Sequence, residues 1–219
     1  MGSRAANDPG AGIEVVVGNH DDLEPLARKY QVPFYDIGDE KGVPDEERLL
    51  ELFAEYDADL VALARYMRIL SPDVVFRYEN RIVNVSPSLL PAFPGASAYV
   101  QAVEEGVRIA GVTAHYVTTD LDQGPILTQR AFNVPDDATG EKLRALGQPL
   151  EAEALVEAVE LHLDDELTVH RGRTKLRDAE NTDAQLGAPA ALDEENPDRP
   201  VDGLGGAVTD DEPGAEADD

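Results

Sequence analysis

The sequence has no cysteine, and lysine occurs at only four positions in 219 residues. Without cysteine neither a disulfide framework nor a thiolate metal site can form, and we predict no metal site of another kind. No apolar run approaches the roughly 20 residues that span a bilayer. The first ten residues lack the apolar core of a signal peptide. The sequence therefore predicts a soluble, cytoplasmic protein that does not bind membranes.

Basic side chains are outnumbered, because 45 Asp and Glu residues face 18 Lys and Arg residues and the formal net charge is −27. A charge of this sign repels nucleic acids and anionic membrane surfaces, so neither is an expected partner. An acidic, lysine-poor composition is typical of proteins in a salt-rich cytoplasm, where ions screen the repulsion between like charges. The charge therefore indicates a halophilic organism rather than a binding surface.

The composition changes after residue 177. Residues 178–219 carry fourteen acidic side chains and one basic side chain, Arg199, with no aromatic residue and no apolar period. Such a segment cannot bury enough apolar surface to offset the entropy lost on ordering. We predict one folded domain over residues 13–177, large enough for a sizeable core, followed by a disordered acidic tail over 178–219.

Patterns typical of strands and helices alternate along the predicted domain. The apolar runs "IEVVVG", "ADLVALA" and "RIVNV" predict strands, and "ADLVALA" (58–64) predicts a fully buried one. Segments between them have apolar residues at helical spacing, as in "PDEERLLELFAEY". "IAGVTAHYVTT" and "PILTQRAFNV" indicate a longer strand pair, and "LTVHRGR" predicts a final strand. The fold class is α/β, a mostly parallel Rossmann-like sheet with helices on both faces.

Two loops at strand ends carry the candidate chemistry, because ligands of such sheets bind at the carboxyl ends of strands. "NVSPSLLPAFPG" begins with Asn84, whose amide can donate to a carbonyl oxygen. "TTDLDQGP" contains Asp122, whose carboxylate can accept a proton or orient water, and His115 on the preceding strand can support either. Residue type alone leaves the alternative open, since Asn and Asp are ordinary loop residues and a lone strand histidine is commonly structural.

Four motifs in order resemble the folate-dependent formyltransferase family, and within it the deformylase branch that hydrolyses 10-formyltetrahydrofolate to formate and tetrahydrofolate. They are "GNHDDLEPLARKYQVPF", "DLVALARYMRILSP", "NVSPSLLPAFPGASAY" and "GVTAHYVTTDLDQGPILTQ". The resemblance covers about residues 13–177. It implies the formyltransferase fold, 10-formyltetrahydrofolate as substrate, no permanently bound cofactor, and a role in one-carbon metabolism that supplies formate for purine biosynthesis.

The resemblance also implies roles for individual residues. Asn84 would bind the formyl oxygen, Asp122 would orient or deprotonate the attacking water, and His115 would support them. A pterin-binding turn would be formed by four consecutive residues, Met67, Arg68, Ile69 and Leu70.

Three departures from the family pattern bear on activity. Ser86 stands where the loop motif of the family has a histidine. A serine hydroxyl cannot carry the positive charge of an imidazolium, and loss of a positioned acid costs on the order of 10²–10⁴ in rate. In addition, neither the first strand of the family, with its Gly-rich loop, nor the small amino-acid-sensing domain of deformylases is recognisable before residue 13.

Three functions therefore stay open. The first is an active deformylase. The second is a formyltransferase of the phosphoribosylglycinamide type, which would need a basic, Gly-rich phosphate site. The third is a weakened or inactive relative that binds folate or another chain. The sequence also leaves open whether copies of the chain form a homo-oligomer.

Overall fold

The computed structural model describes residues 11–177. The predicted acidic tail (178–219) lies outside the described residues, and its disorder stays a prediction. The strands are β1 (Val16–Gly18), β2 (Phe34–Asp36), β3 (Val61–Leu63), β4 (Ile82–Ser86), β5 (Ile109–Tyr116), β6 (Ile126–Asn133), β7 (Leu167–His170) and β8 (Arg173–Leu176). The helices are α1 (Glu24–Lys29), α2 (Glu46–Glu55), α3 (Pro72–Arg77), α4 (Ala98–Glu104) and α5 (Gly140–Leu163).

The central sheet has four strands in the order β3-β4-β5-β6. Strands β3 and β4 are parallel, whereas β4–β5 and β5–β6 are antiparallel. Strands β1 and β2 form a separate parallel pair. The predicted α/β class is confirmed, but the sheet is mixed, and its parallel character is confined to the pairs β1–β2 and β3–β4. Strands β5 and β6 run antiparallel because the loop that joins them is too short for a parallel crossover.

Helices cover both faces of the central sheet, as predicted. Neighbouring strand residues point to opposite faces. Ile82 of β4 packs into a cluster with side chains of α2 and α3. Val83, the next residue, packs into a second cluster with Ala154 and Ala158 of α5. The exposed fractions of Ile82 and Val83 are 1% and 0%, so β4 is buried on both faces, between the two clusters.

Local signals in the sequence set the ends of the two longest helices. The Asp45 side chain accepts a hydrogen bond from the Arg48 amide (3.0 Å) at the start of α2. The Thr139 side chain accepts one from the Lys142 amide (3.2 Å) at the start of α5. Both are side-chain caps of helix N-termini, which typically stabilise a helix by about 1 kcal/mol. Helix α5 continues through Pro149.

The sequence predicts a fully buried strand over 58–64, and this prediction of burial is wrong. Strand β3 is half-buried and its middle residue, Ala62, is exposed. Within residues 11–177, β3 pairs only with β4, and β1 pairs only with β2. Val17 of β1 and Val61 of β3 nevertheless pack against the same cluster as α2. Each of these strands therefore has one edge without a strand partner in the described range.

The final strand predicted from "LTVHRGR" is in fact two strands. β7 and β8 form an antiparallel hairpin in which His170 pairs with Arg173. The two residues between them, Arg171 and Gly172, have φ values of 51° and 73°. Positive φ at both central residues matches the right-handed twist of a hairpin, and glycine accepts it without strain.

In residues 11–177 no helix is long and apolar enough to cross a membrane.

Candidate active site

Strands β4 and β5 bring three polar side chains together. Asn84 and Ser86 lie two residues apart on β4 and therefore share a face of the sheet. His115 is the partner of Asn84 in the antiparallel register. The pairing of β5 with β6 shifts register between Ala114 and His115, a local irregularity of the kind that re-aims side chains at functional sites.

Asp122 reaches this group from the loop between β5 and β6. Its Oδ1 accepts a hydrogen bond from Ser86 Oγ (2.9 Å), and its Oδ2 accepts one from the Gly95 amide (2.6 Å). Only 8% of the Asp122 side chain is exposed. The two loops singled out in the sequence thus meet at a buried carboxylate, and Asn84, Ser86, His115 and Asp122 form one cluster.

The imidazole of His115 is oriented by the backbone. Its Nδ1 lies 2.9 Å from the carbonyl oxygen of Tyr116, which can only accept, so Nδ1 carries the hydrogen. Its Nε2 faces Ser86 Oγ at 3.2 Å, Asn84 Nδ2 at 3.4 Å and Asp122 Oδ1 at 3.6 Å. Burial lowers the pKa of His115, against the opposing effects of the Tyr116 carbonyl and the Asp122 charge. The resting imidazole is therefore neutral, with the Nε2 lone pair directed at Ser86.

The stability of the fold should fall as the pH is lowered from about 7 to about 5. An unfolded histidine takes up a proton near pH 6.5, but burial lowers the pKa of folded His115, so the unfolded chain binds more protons in this range. Burial also lowers the pKa of His162, together with the Arg81 charge and against the charges of Asp165 and Asp59. Its proton uptake on unfolding adds to the loss of stability at low pH. Denaturant unfolding at the two pH values measures the loss.

In the same experiment, His115→Gln should reduce the pH dependence without abolishing it, since His162 remains. His170→Gln is the matched control, because this side chain is exposed. An unfolding free energy that stays constant between the two pH values would contradict the buried neutral state of both imidazoles.

Buried hydrogen bonds fix the loop between β4 and α4 to the sheet. Thr113 Oγ1 donates to the Ser88 carbonyl (2.7 Å) and accepts from the Leu90 amide (3.0 Å). Gln129 Nε2 donates to the Leu90 carbonyl (3.0 Å). The sequence interpretation missed Thr113, Gln129 and Gly95, which hold the loop and the Asp122 carboxylate. For Gly95 the motif "FPG" was an available signal, because glycine after proline is typical of a turn. Gly95 adopts a φ of 85°, which glycine accepts without strain.

The four residues of the predicted pterin-binding turn have different environments. Met67 and Ile69 are 85% and 70% exposed, whereas Leu70 is buried in the first core cluster. Arg68 Nη2 donates to the Lys41 carbonyl (3.1 Å). The turn follows Leu63, which pairs with Asn84 in the parallel register. It therefore begins at the same end of the sheet as the polar cluster, with two apolar side chains open to solvent.

Comparison with known proteins decides the family. The sequence profile of the family described as formyl transferase matches residues 3–159, well over half of the chain. The chain belongs to the formyl transferase family. Among curated relatives of this chain, the formyltetrahydrofolate deformylase of Bacillus subtilis is 42% identical over 166 residues, which are 75% of this chain and 55% of the relative. That of Haemophilus influenzae is 40% identical, over 74% of this chain and 59% of the relative.

Solved structures agree with this assignment. A formyltetrahydrofolate deformylase from Pseudomonas syringae matches this chain with a TM-score of 0.72 and 33% identity, over 76% of this chain and 56% of that one. A phosphoribosylglycinamide formyltransferase from Anaplasma phagocytophilum matches equally well, over 76% and 82%. The resemblance and the fold inferred from the motifs are confirmed. The chain spans between half and two thirds of the length of the curated relatives described.

Proposed function

We propose that this member of the formyl transferase family hydrolyses 10-formyltetrahydrofolate to formate and tetrahydrofolate. The observation that carries the proposal is the buried carboxylate of Asp122, held by Ser86 and Gly95 beside Asn84 and His115. A buried carboxylate next to an amide donor is the arrangement that activation of water at a carbonyl requires. The curated relatives named formyltetrahydrofolate deformylases support the choice of reaction.

The proposed reaction begins with proton transfer from water to Asp122. As the water oxygen bonds to the formyl carbon, the carboxylate takes one of its protons, and negative charge develops on the formyl oxygen. Asn84 Nδ2 would donate to this oxygen. Its distances to Ser86 Oγ and His115 Nε2 are both 3.4 Å, longer than a strong hydrogen bond, so its hydrogens are weakly engaged. The carbon–nitrogen bond then breaks, Asp122 gives its proton to the nitrogen, and the product leaves as formic acid, which loses its remaining proton to water and becomes formate.

The exposed turn after β3 is the proposed contact for the pterin ring. Met67 and Ile69 present apolar surface to solvent at the end of the sheet that carries Asn84. A pterin ring whose flat face packs on these two side chains would cover their apolar surface, which stabilises the complex by about 25 cal/mol per Å² covered. Arg68 and the buried Leu70 would then hold the backbone of the turn in place rather than contact the ligand with their side chains.

A formate assay tests the function. The purified chain, in salt concentrated enough to screen its charge, should release formate and tetrahydrofolate in equal amounts from 10-formyltetrahydrofolate without an amine acceptor. The resemblance to phosphoribosylglycinamide formyltransferases makes transfer the second candidate. If the substrate is converted only after phosphoribosylglycinamide is added, and no formate appears, the reaction is transfer. If neither condition gives conversion, the chain is an inactive relative.

Ligand binding can be measured separately from turnover. A folate analogue at 100 times its dissociation constant should stabilise the chain by about 2.7 kcal/mol, which is visible as a raised melting temperature. Met67→Ser should weaken this effect without changing the melting temperature of the free chain, because the side chain is 85% exposed. Phe76→Ser on α3, at a side chain that is 69% exposed, is the matched control and should leave both values unchanged. Equal stabilisation of parent and Met67→Ser would argue against the turn as the pterin contact.

The cellular setting is part of the same proposal. The reaction would take place in the cytoplasm of a halophilic cell and supply formate for purine biosynthesis, with residues 13–177 as the catalytic domain. The acidic composition supports the salt-rich setting.

A further inference from the structure

The hydroxyl of Ser86 is the shortest connection between Asp122 and His115. Its Oγ lies 2.9 Å from Asp122 Oδ1 and 3.2 Å from His115 Nε2. The direct distance between Oδ1 and Nε2 is 3.6 Å, which is too long for a hydrogen bond. Ser86 is 4% exposed and His115 is 2% exposed. A proton that moves between the carboxylate and the imidazole therefore passes through this hydroxyl.

The hydrogen of the Ser86 hydroxyl has two competing acceptors. Because His115 Nδ1 donates to the Tyr116 carbonyl, the Nε2 lone pair is free to accept, and Asp122 Oδ1 accepts as well. A hydroxyl donates one hydrogen and accepts others, so it can receive a proton from one neighbour while it gives its own to the other. An imidazole at position 86 would hold the charge itself, whereas serine can only pass it on.

We propose that Ser86 relays to His115 the proton that Asp122 takes from the attacking water. In this step the protonated Asp122 oxygen gives its hydrogen to Ser86 Oγ, while the Ser86 O–H bond breaks and its hydrogen bonds to His115 Nε2. The carboxylate is regenerated and His115 becomes an imidazolium. When the carbon–nitrogen bond of the substrate breaks, the same path runs backwards, and Asp122 delivers the proton to the nitrogen. The relay rests on the proposed hydrolysis.

The relay places a positive charge where the developing oxyanion needs it. His115 Nε2 lies 3.4 Å from Asn84 Nδ2, the proposed donor to the formyl oxygen. An imidazolium there would lie next to the group that binds the oxyanion, and in a buried site a charge acts more strongly than in water. The charged group that faces His115 is Asp122, and its contacts from β4, Asn84 and Ser86, are uncharged. Burial lowers the pKa of His115 and so disfavours the imidazolium, whereas the Asp122 carboxylate beside it compensates the charge. In this chain His115 is thus a positioning residue that acts through Ser86.

Matched substitutions at one position test the relay. Ser86→Ala removes the hydroxyl, and Ser86→Thr keeps it. We expect Ser86→Ala to lower kcat for formate release by about 10–10², at the low end of what positioned proton transfer contributes, with KM nearly unchanged, and Ser86→Thr to restore most of the rate. In mixtures of light and heavy water the parent rate should depend on deuterium content along a curve, since two protons move together, whereas the Ser86→Ala dependence should be linear.

A measurement without turnover checks the starting state. Nitrogen NMR of histidine-labelled parent chain should show His115 with hydrogen on Nδ1 and an Nε2 that accepts a hydrogen bond, and the Nε2 signal should move in Ser86→Ala. His115→Gln identifies the signal among the four histidines.

The outcomes separate the two proposals. An active parent with an equally fast Ser86→Ala variant, or a His115 protonated on Nε2 alone, overturns the relay and leaves the hydrolysis standing. A parent that releases no formate overturns both.

Discussion

Asp122→Asn is expected to lower the rate of formate release by about 10²–10⁴, because an amide cannot take a proton from water. The substitution is nearly isosteric. The amide oxygen can still accept a hydrogen bond from Ser86 or from the Gly95 amide, which hold the carboxylate in the parent. The fold should therefore survive, and the loss should appear in kcat rather than in the melting temperature.

Asp120→Asn is the matched control for this experiment. It makes the same chemical change two residues earlier in the same loop, at an exposed position. Its rate should equal that of the parent. If Asp122→Asn retained the rate of Asp120→Asn, the carboxylate would not be the base, and the proposed mechanism would be wrong.

The second large effect concerns stability, at Gly124. A Cβ at this position would overlap the carbonyl oxygen of Tyr116. The overlap cannot be relieved by a side-chain movement, because Tyr116 is held in place by its amide, which donates to the Pro125 carbonyl (2.9 Å). Gly124→Ala should therefore force apart the ends of β5 and β6 and reduce the free energy of unfolding by about 3 kcal/mol or more.

Gly106→Ala separates this clash from the general cost of replacing a glycine. Gly106 has a φ of 66°, and a Cβ there would have nothing within 4 Å. Alanine in this left-handed conformation costs about 1–2 kcal/mol without any overlap. Chemical denaturation of the two variants measures the difference. A loss in Gly124→Ala no larger than that in Gly106→Ala would show that the loop accommodates the extra carbon.

The sequence predicted which polar residues meet, but not everything that holds them. Asn84 lies within one apolar strand run, and His115 and Asp122 lie at and after the end of another. The expected common carboxyl edge does not bring them together, because β4 and β5 are antiparallel and Asn84 meets His115 through their register. The structure brings them together with Ser86, and their chemical roles remain predictions. Gly95 and Thr113 were missed because each acts through a hydrogen bond to a segment distant in sequence. The motif "FPG" indicates a turn at Gly95, but no local pattern indicates which carboxylate its amide contacts.

The burial of β3 shows a similar limit. An uninterrupted apolar run predicts burial, but the burial of a side chain depends on what covers its face of the sheet. Ala62 pairs with Val83, yet Val83 packs against α5 and Ala62 is exposed. The turn proposed to contact the pterin shows the same limit, because Met67 and Leu70 are both apolar and only Leu70 is buried in the core.

The edges of β1 and β3 that have no strand partner within residues 11–177 should affect how fast individual backbone amides exchange hydrogen with solvent. The Val16 amide donates to Pro33, and the Val61 amide donates to Arg81, so both point toward a neighbouring strand. In parallel pairing, amides alternate sides along a strand, so those of Val17 and Ala62 point away from β2 and β4. Residues adjacent in sequence should therefore differ sharply in deuterium uptake, slow at Val16 and Val61 and fast at Val17 and Ala62. A strand bound along the edge of β1 would slow exchange at Val17, and one bound along the edge of β3 would slow exchange at Ala62. Exchange at Val16 and Val61 would stay unchanged.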